Sequence, residues 1–143
     1  MSIKREDIIG ALETRLKTIS VVNGYHTALG AHVSVWLPAV ISESERPAAN
    51  VRDMDDSIIR DSVPFDTHQL SIEIDVASTT VTALRQAIYD VYKAIGTDPT
   101  FGGLAIDTSL LGDAFQLDQL EKVVVGAIVS ISIMFRTSNY QES

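Results

Sequence analysis

The strongest constraint on the fold is a long alternating stretch near the end of the chain, from residue 121 to about 136. Every second residue in it is apolar, which predicts a β-strand with one buried face. The apolar series is Val123, Val125, Ala127, Val129, Ile131, Ile133 and Phe135. Gly126, Ser130 and Ser132 interrupt the stretch, and it is shorter than the roughly 20 apolar residues that cross a bilayer. We therefore expect a strand inside a sheet.

The opposite face of this strand also carries apolar residues, namely Val124, Ile128 and Met134. Two helices can cover one face of a small sheet, which would leave this second face partly bare in a monomer. Burying a few hundred Å² of it at about 25 cal/mol per Å² contributes several kcal/mol before the cost of association. The sequence therefore predicts an oligomer that uses this face or the strand edges.

Two helices and three further strands are predicted from the spacing of apolar residues. The spacing is helical over residues 3–19 and 81–95, and it alternates over 31–37, 70–76 and 104–110. The candidate caps and turns are Ser2, Asn23-Gly24, Ser78, Thr79, Thr80, Gly96 and residues 112–118. The elements therefore follow the order α-β-β-α-β-β.

The size and composition of the chain suit one folded domain, residues 1–143, with 45% hydrophobic and 21% charged residues. We predict an α+β fold. It has a four-stranded mixed or antiparallel sheet, two helices packed on one face, and a long loop between the first two strands.

That loop, residues 39–67, is predicted because the segment is dense in charged and small residues. A connection of this length is often functional. Its aspartates do not fit a calcium-binding loop, because the pattern requires glycine where this chain has Ile58 and glutamate where it has Pro64. Weak binding of a divalent ion is left open.

No catalytic, cofactor or metal site is predicted. The chain has no cysteine, which excludes disulfides, thiol nucleophiles and thiolate metal ligands. No GxSxG motif accompanies His26, His32 and His68, so structural roles are expected for all three. Glu73 and Asp75 lie on the predicted wet face of a strand, where they act as solubilising charges.

The charge balance argues against nucleic acid and membranes as binding partners. Nineteen acidic against eleven basic residues give a net charge of −8, which repels phosphate and anionic lipid. The opening segment MSIKREDIIGALETRL has charges where an export signal needs apolar residues, so a soluble compartment is expected.

A local match then points to a family. The segment AIGTDPTFGGLA, residues 94–105, contains Asp98-Pro99-Thr100 and Gly102-Gly103-Leu104. Together with Arg46-Pro47, these elements resemble recurring phrases of the tail terminator family of long-tailed bacteriophages, whose members are also called minor tail or tail completion proteins. The likeness covers most of the chain, and its motifs are structural. Asp98, Pro99, Gly102 and Gly103 are the candidate residues of a tight turn.

The resemblance implies a mixed α/β subunit of a hexameric ring. Such a ring sits on the head-proximal end of the finished tail tube, stops its polymerisation and offers a docking surface for the head. The implied protein is a structural virion component assembled in the host cytoplasm, without catalytic activity or cofactor. Its partners would be copies of itself, the tail tube protein and a head-completion or connector protein, with no membrane involved.

DNA would pass through the lumen of such a ring without specific binding. Six copies at −8 each carry −48, which lets DNA slide rather than bind. Two alternatives remain. One is another neck component, a head-closure or head-tail joining protein. The other is a small α+β enzyme, which would need a pocket with converging polar groups.

The resemblance also suggests roles for the charged residues of the long loop. The acids are predicted to face the channel or the tube: Asp53, Asp55, Asp56 and Asp61. Arg46, Arg52 and Arg60 are candidates for ion pairs between subunits, and simple loop solubility is an equally good interpretation of them. Trp36 could stack on a ligand, but such a residue more often covers the sheet or anchors an interface.

Overall fold

The structure is a computed structural model that describes residues 3–38, 41, 43–62, 64–119 and 123–138, with all side chains in these ranges except those of 43, 61–62, 117–119 and 123–125. Its elements are α1 (Lys4–Leu16), β1 (Val33–Val35), β2 (Ala48–Ser62), β3 (Phe65–Ser78), α2 (Val81–Gly96), β4 (Asp107–Gln119) and β5 (Val123–Ser138), with short 3-10 turns at Leu29–Ala31 and Glu43–Glu45. The α+β class is confirmed. The described residues form five strands rather than four.

The strands form one mixed sheet in the order β1-β2-β3-β5-β4. Three neighbouring pairs are antiparallel, and β1 runs parallel to β2 over three residues. Because β1 pairs only with residues 49–51, the rest of β2 is an edge strand on that side. The other edge is β4.

The predicted long loop is wrong for most of its length, because residues 48–62 form β2 and residues 65–67 belong to β3. The strand is 15 residues long and pairs with β3 along that length, with register shifts after Asp53 and Arg60. Pairing gives the backbone its hydrogen bonds, and side chains from other elements neutralise several of its charges. Those contacts outweigh the poor strand propensity of aspartate.

A second correction concerns β4, where the turn predicted near residues 112–118 is absent. The strand begins at Asp107 and continues to Gln119. Leu110 pairs with Ile131 and Gly112 with Ser130, so Leu111 is an extra residue in a β-bulge. Gly112 has a φ of 137°, a backbone conformation that favours glycine. The glycine therefore marks a bulge inside a strand rather than its end.

The two helices differ in how they begin. The side chain of Thr80 caps α2 by accepting a hydrogen bond from the backbone N–H of Ala83 at 3.0 Å. Helix α1 has no side-chain cap at Ile3, and the predicted cap Ser2 lies outside the described residues. It also ends at Leu16, three residues before the end of the predicted helix at residue 19.

Neither helix in the described ranges is long and apolar enough to span a bilayer.

Both helices pack on one face of the sheet and bury its alternating apolar residues. These are Leu70, Ile72, Ile74 and Val76 of β3 and Ala127, Val129, Ile131, Ile133 and Phe135 of β5. The alternation in the sequence predicts this face.

The other side of the sheet is called the open face here, and its central residues are Ser71, Glu73 and Asp75 of β3 and Ser130 and Ser132 of β5. Apolar residues are a minority there in the described part, where Ile128 and Met134 are half-buried. The side chain of Val124 lies outside the described residues. The open face is therefore more polar than the sequence suggests.

Candidate interaction surface

More than half of the exposed large apolar side chains in the described ranges lie at the two margins of the sheet, although the two most exposed, Val21 and Val22, follow α1. One margin is the β2–β3 hairpin from residue 53 to residue 69, called the arm here, which continues beyond β1. The arm exposes Ile58, Ile59 and Phe65, with 58%, 59% and 41% of their surfaces accessible. The other margin is the β4 edge. It exposes Leu110, Leu111 and Phe115, with Ile106 just before it.

Asp53 connects the arm to the helical layer. Its two carboxylate oxygens accept hydrogen bonds from Nε of Arg5 in α1 and from Nε1 of Trp36, each at 2.7 Å. Burial raises the pKa of Asp53, but the hydrogen bonds from Trp36 and Arg5 outweigh it and hold that pKa below its ordinary value. Trp36 still exposes 51% of its surface. Both predicted candidates therefore have a structural contact within the chain.

The middle of the arm contains a buried histidine, His68, that contacts two polar side chains. The sequence did not predict this cluster. Nδ1 of His68 lies 2.8 Å from a carboxylate oxygen of Asp56, and Nε2 lies 2.7 Å from the hydroxyl of Thr137. The carboxylate only accepts, so Nδ1 donates to Asp56. The ring stacks on Phe135 with centroids 4.6 Å apart. The alternation that buries Leu70 also places His68 on the buried face, which is the signal that could have found it.

The carboxylate, the imidazole and the hydroxyl of this cluster are hydrogen-bonded in the same order as the acid, base and nucleophile of a catalytic triad. Its burial argues against catalysis, because His68 is only 1% exposed and Thr137 only 9%. A substrate has no approach to the hydroxyl without opening the sheet. The arrangement instead joins β2, β3 and β5 in the middle of the arm.

The three predicted arginines differ in their partners. Arg52 pairs with Asp75 at 2.7 Å and Glu73 at 3.5 Å. The hydrogen bond to Asp75 outweighs burial and raises the pKa of Arg52. Arg60 pairs with Asp66 at 3.5 Å. Both arginines therefore have carboxylate partners within their own chain and lie in β2 rather than in a loop.

Arg46 and Asp55 are different. Arg46 donates to two carbonyl oxygens, those of Ile41 at 3.0 Å and Ser78 at 3.4 Å, and no described carboxylate pairs with it. Asp55 is exposed on β2, with no ion pair or side-chain hydrogen bond among the described residues. Asp61 also belongs to β2, but its side chain is outside the described part.

An open groove of about 510 Å³ crosses the open face at the end of the sheet next to β1. Its apolar walls come from Leu37, Pro38, Ile41 and Ile128, and its polar lining includes Arg46, Asn50, Arg52, Asp75 and Gln116. The Nε–H groups of Arg46 and Arg52 are buried and have no acceptor within the described residues. The groove thus presents guanidinium groups beside an apolar wall.

The predicted tight turn after α2 is built around Asp98. One carboxylate oxygen accepts from the backbone N–H and the hydroxyl of Thr100 at 3.0 and 2.6 Å, and the other accepts from the N–H of Gly102 at 2.8 Å. The hydrogen bond from Thr100 is the main reason that the pKa of Asp98 is lowered. Gly102 and Gly103 have φ angles of 71° and 92°, and Pro99 accepts a hydrogen bond from Thr108 of β4.

No protein-family model matches the chain, and no curated protein matches it. No group of three or more His, Asp or Glu side chains within the described ranges could hold a metal ion.

Proposed function

We propose that this chain is a subunit of a ring on the end of the tail tube of a long-tailed bacteriophage, where it stops tube polymerisation and forms the head-docking surface. The observation that carries the proposal is the pair of exposed apolar margins on opposite sides of one sheet. A second copy can cover each of these margins. The resemblance of residues 94–105 to the tail terminator family suggests which assembly the copies would form.

The margins favour ring formation because they are different surfaces. A contact that joins the arm of one copy to another region of the next is heterologous, and heterologous contacts close into rings when the rotation closes. Each margin can bury a few hundred Å² of apolar surface, worth several kcal/mol before association costs at about 25 cal/mol per Å². The β4 edge can also accept a neighbouring strand by backbone pairing.

The polar character of the molecule supports a conduit for DNA. The centre of the open face carries serines and two carboxylates that are paired with Arg52, and the chain has a net charge of −8. A hexamer would carry −48, which disfavours adhesion of phosphate. That Asp53, Asp55, Asp56 and Asp61 face the channel or the tube stays a prediction of this proposal, and two of them, Asp53 and Asp56, also bind partners within their own chain.

The test is electron microscopy of tails from a phage that lacks this gene. We expect overlong tubes, because nothing stops polymerisation, and complementation with the wild-type chain restores normal length. Headless tails of normal length would instead indicate a head-tail joining protein and overturn the proposal. Native mass spectrometry with and without purified tubes gives the second readout, in which a sixfold mass is expected.

A further inference from the structure

Among the charged candidates, Arg46 and Asp55 stand apart. Each of Arg52, Arg60, Asp53 and Asp56 has an oppositely charged or imidazole partner in its own chain. Arg46 has none among the described carboxylates, and Asp55 has none among the described cations. The described part of the chain therefore leaves one cation and one anion of this set available to a partner.

The two side chains lie on the same side of the sheet. Asp55 pairs with Ser71, a residue of the open face, and therefore points to that face. Arg46 lines the groove on the open face together with Asp75 and Ile128. A surface that approaches the open face can therefore meet both.

They cannot meet each other within one molecule. Between the start of β2 and Asp55 the chain is extended, and at about 3.3 Å per residue it places the two side chains roughly 20–30 Å apart. The Asp55 that reaches Arg46 must come from another copy.

The surroundings of the two residues are complementary in other respects. The open face of the arm exposes Ile59 and Phe65 in addition to Asp55. The groove has an apolar wall that includes Leu37 and Ile41 beside the Arg46 guanidinium. An acid flanked by apolar side chains therefore fits a guanidinium flanked by an apolar wall.

We propose that the groove of one copy binds the arm of the next, with the Asp55 carboxylate on the Arg46 guanidinium. Guanidinium groups bind carboxylates through two parallel hydrogen bonds, and an Arg46 that donates only to carbonyls keeps its charge for such a partner. This contact would form the interface between neighbouring subunits of the proposed ring, so the inference rests on the proposed function.

The test exchanges the two charges. Asp55→Arg and Arg46→Glu should each weaken self-association roughly tenfold or more, because like charges then face each other. An equal mixture of the two variants should associate again, since the arginine introduced by Asp55→Arg meets the glutamate introduced by Arg46→Glu, and the unchanged Asp55 and Arg46 meet as in the wild type. Native mass spectrometry should show both variants in equal numbers in the assembled species.

Glu6→Arg is the matched control, because Glu6 is exposed on α1 in the helical layer, and the same charge reversal there should leave association unchanged. If Arg46→Glu fails to fold, two other variants still test the contact. Arg46→Gln removes the charge but keeps hydrogen-bond donors. Asp55→Arg changes a side chain that has no partner among the described residues.

The outcomes separate this inference from the proposed function. Association that is unaffected by either charge change, or a wild-type chain that stays monomeric at millimolar concentration, overturns the Asp55–Arg46 contact. Rings that persist in both variants leave the terminator proposal standing. Charge-dependent association that stops at a dimer supports the contact and contradicts the hexamer.

Discussion

At the residue scale, Asp53 shows how a charged residue becomes structural. Its carboxylate, 17% exposed, holds α1 through Arg5 and the β1 end through Trp36. We expect Asp53→Asn to lower the free energy of unfolding by about 1–2 kcal/mol at pH 7, because two charge-assisted hydrogen bonds lose their anion.

The pH dependence of this loss follows from the lowered pKa of Asp53. A depressed folded-state pKa stabilises the fold above the ordinary aspartate value of about 3.9, and the contribution disappears as pH falls through the folded-state pKa. Urea unfolding from pH 7 to pH 3 should show the difference between wild type and Asp53→Asn shrinking below about pH 4. Asp55→Asn is the control, expected within about 0.5 kcal/mol of wild type. A difference independent of pH would contradict this account.

Gly30 supports a second prediction at this scale. A Cβ there would lie 2.5 Å from the carbonyl oxygen of Lys17 and 2.6 Å from that of Ile19. Gly30→Ala should therefore destabilise the chain by about 2–3 kcal/mol, because backbone must move. Gly10→Ala, in α1 with nothing within 4 Å of the added Cβ, should stabilise by about 0.5–1 kcal/mol. Thermal unfolding measures both, and equal effects of the two changes would refute the close-approach argument.

Contacts between individual side chains were harder to predict from the sequence than the helices and strands. The alternation of β3 places His68 on the buried face, but its partner Asp56 is set by the register of β2, which shifts between Asp53 and Asp55. A shift of one residue moves a side chain to the opposite face. The charge pattern alone therefore could not distinguish the partnered Asp56 from the exposed Asp55.

At the element scale, the helices and the buried strands followed from apolar periodicity, whereas β2 did not. Its sequence is poor in strand-forming residues between Val51 and Ile58, and its charges are matched by Arg5, Glu73 and Asp75 from other elements. Such pairing depends on tertiary structure, so local propensity could not report it. The sequence predicts a turn at Gly112, whereas the pairing of β4 with β5 makes it part of a bulge.

The cap of α2 allows a clean test of an element boundary. Thr80→Ala should cost about 1 kcal/mol of unfolding free energy, because the N–H of Ala83 loses its acceptor. Thr80→Ser keeps the hydroxyl and should stay within a few tenths of a kcal/mol of wild type. Chemical denaturation measures both, and a Thr80→Ser cost as large as that of alanine would show that the hydroxyl is not what matters.

At the scale of the whole molecule, the β4 edge tests the proposed ring. Leu111 is 62% exposed, so Leu111→Lys should change stability by less than about 0.5 kcal/mol. A hydrated cation on an edge disfavours strand addition, so this variant should fail to restore tail length in a phage lacking the gene. Gln86→Lys adds the same charge on the exposed side of α2 and should complement fully. Normal tails with Leu111→Lys would exclude this edge from the assembly.

The bulge in β4 also determines where the chain tolerates a change in length. Deleting Leu111 leaves Leu110 opposite Ile131 and Gly112 opposite Ser130, so the ladder would close without a gap. A deletion elsewhere in the strand would move the side chains on one side of it to the opposite face of the sheet. Among natural variants that lose one residue from β4, the missing residue should therefore be Leu111.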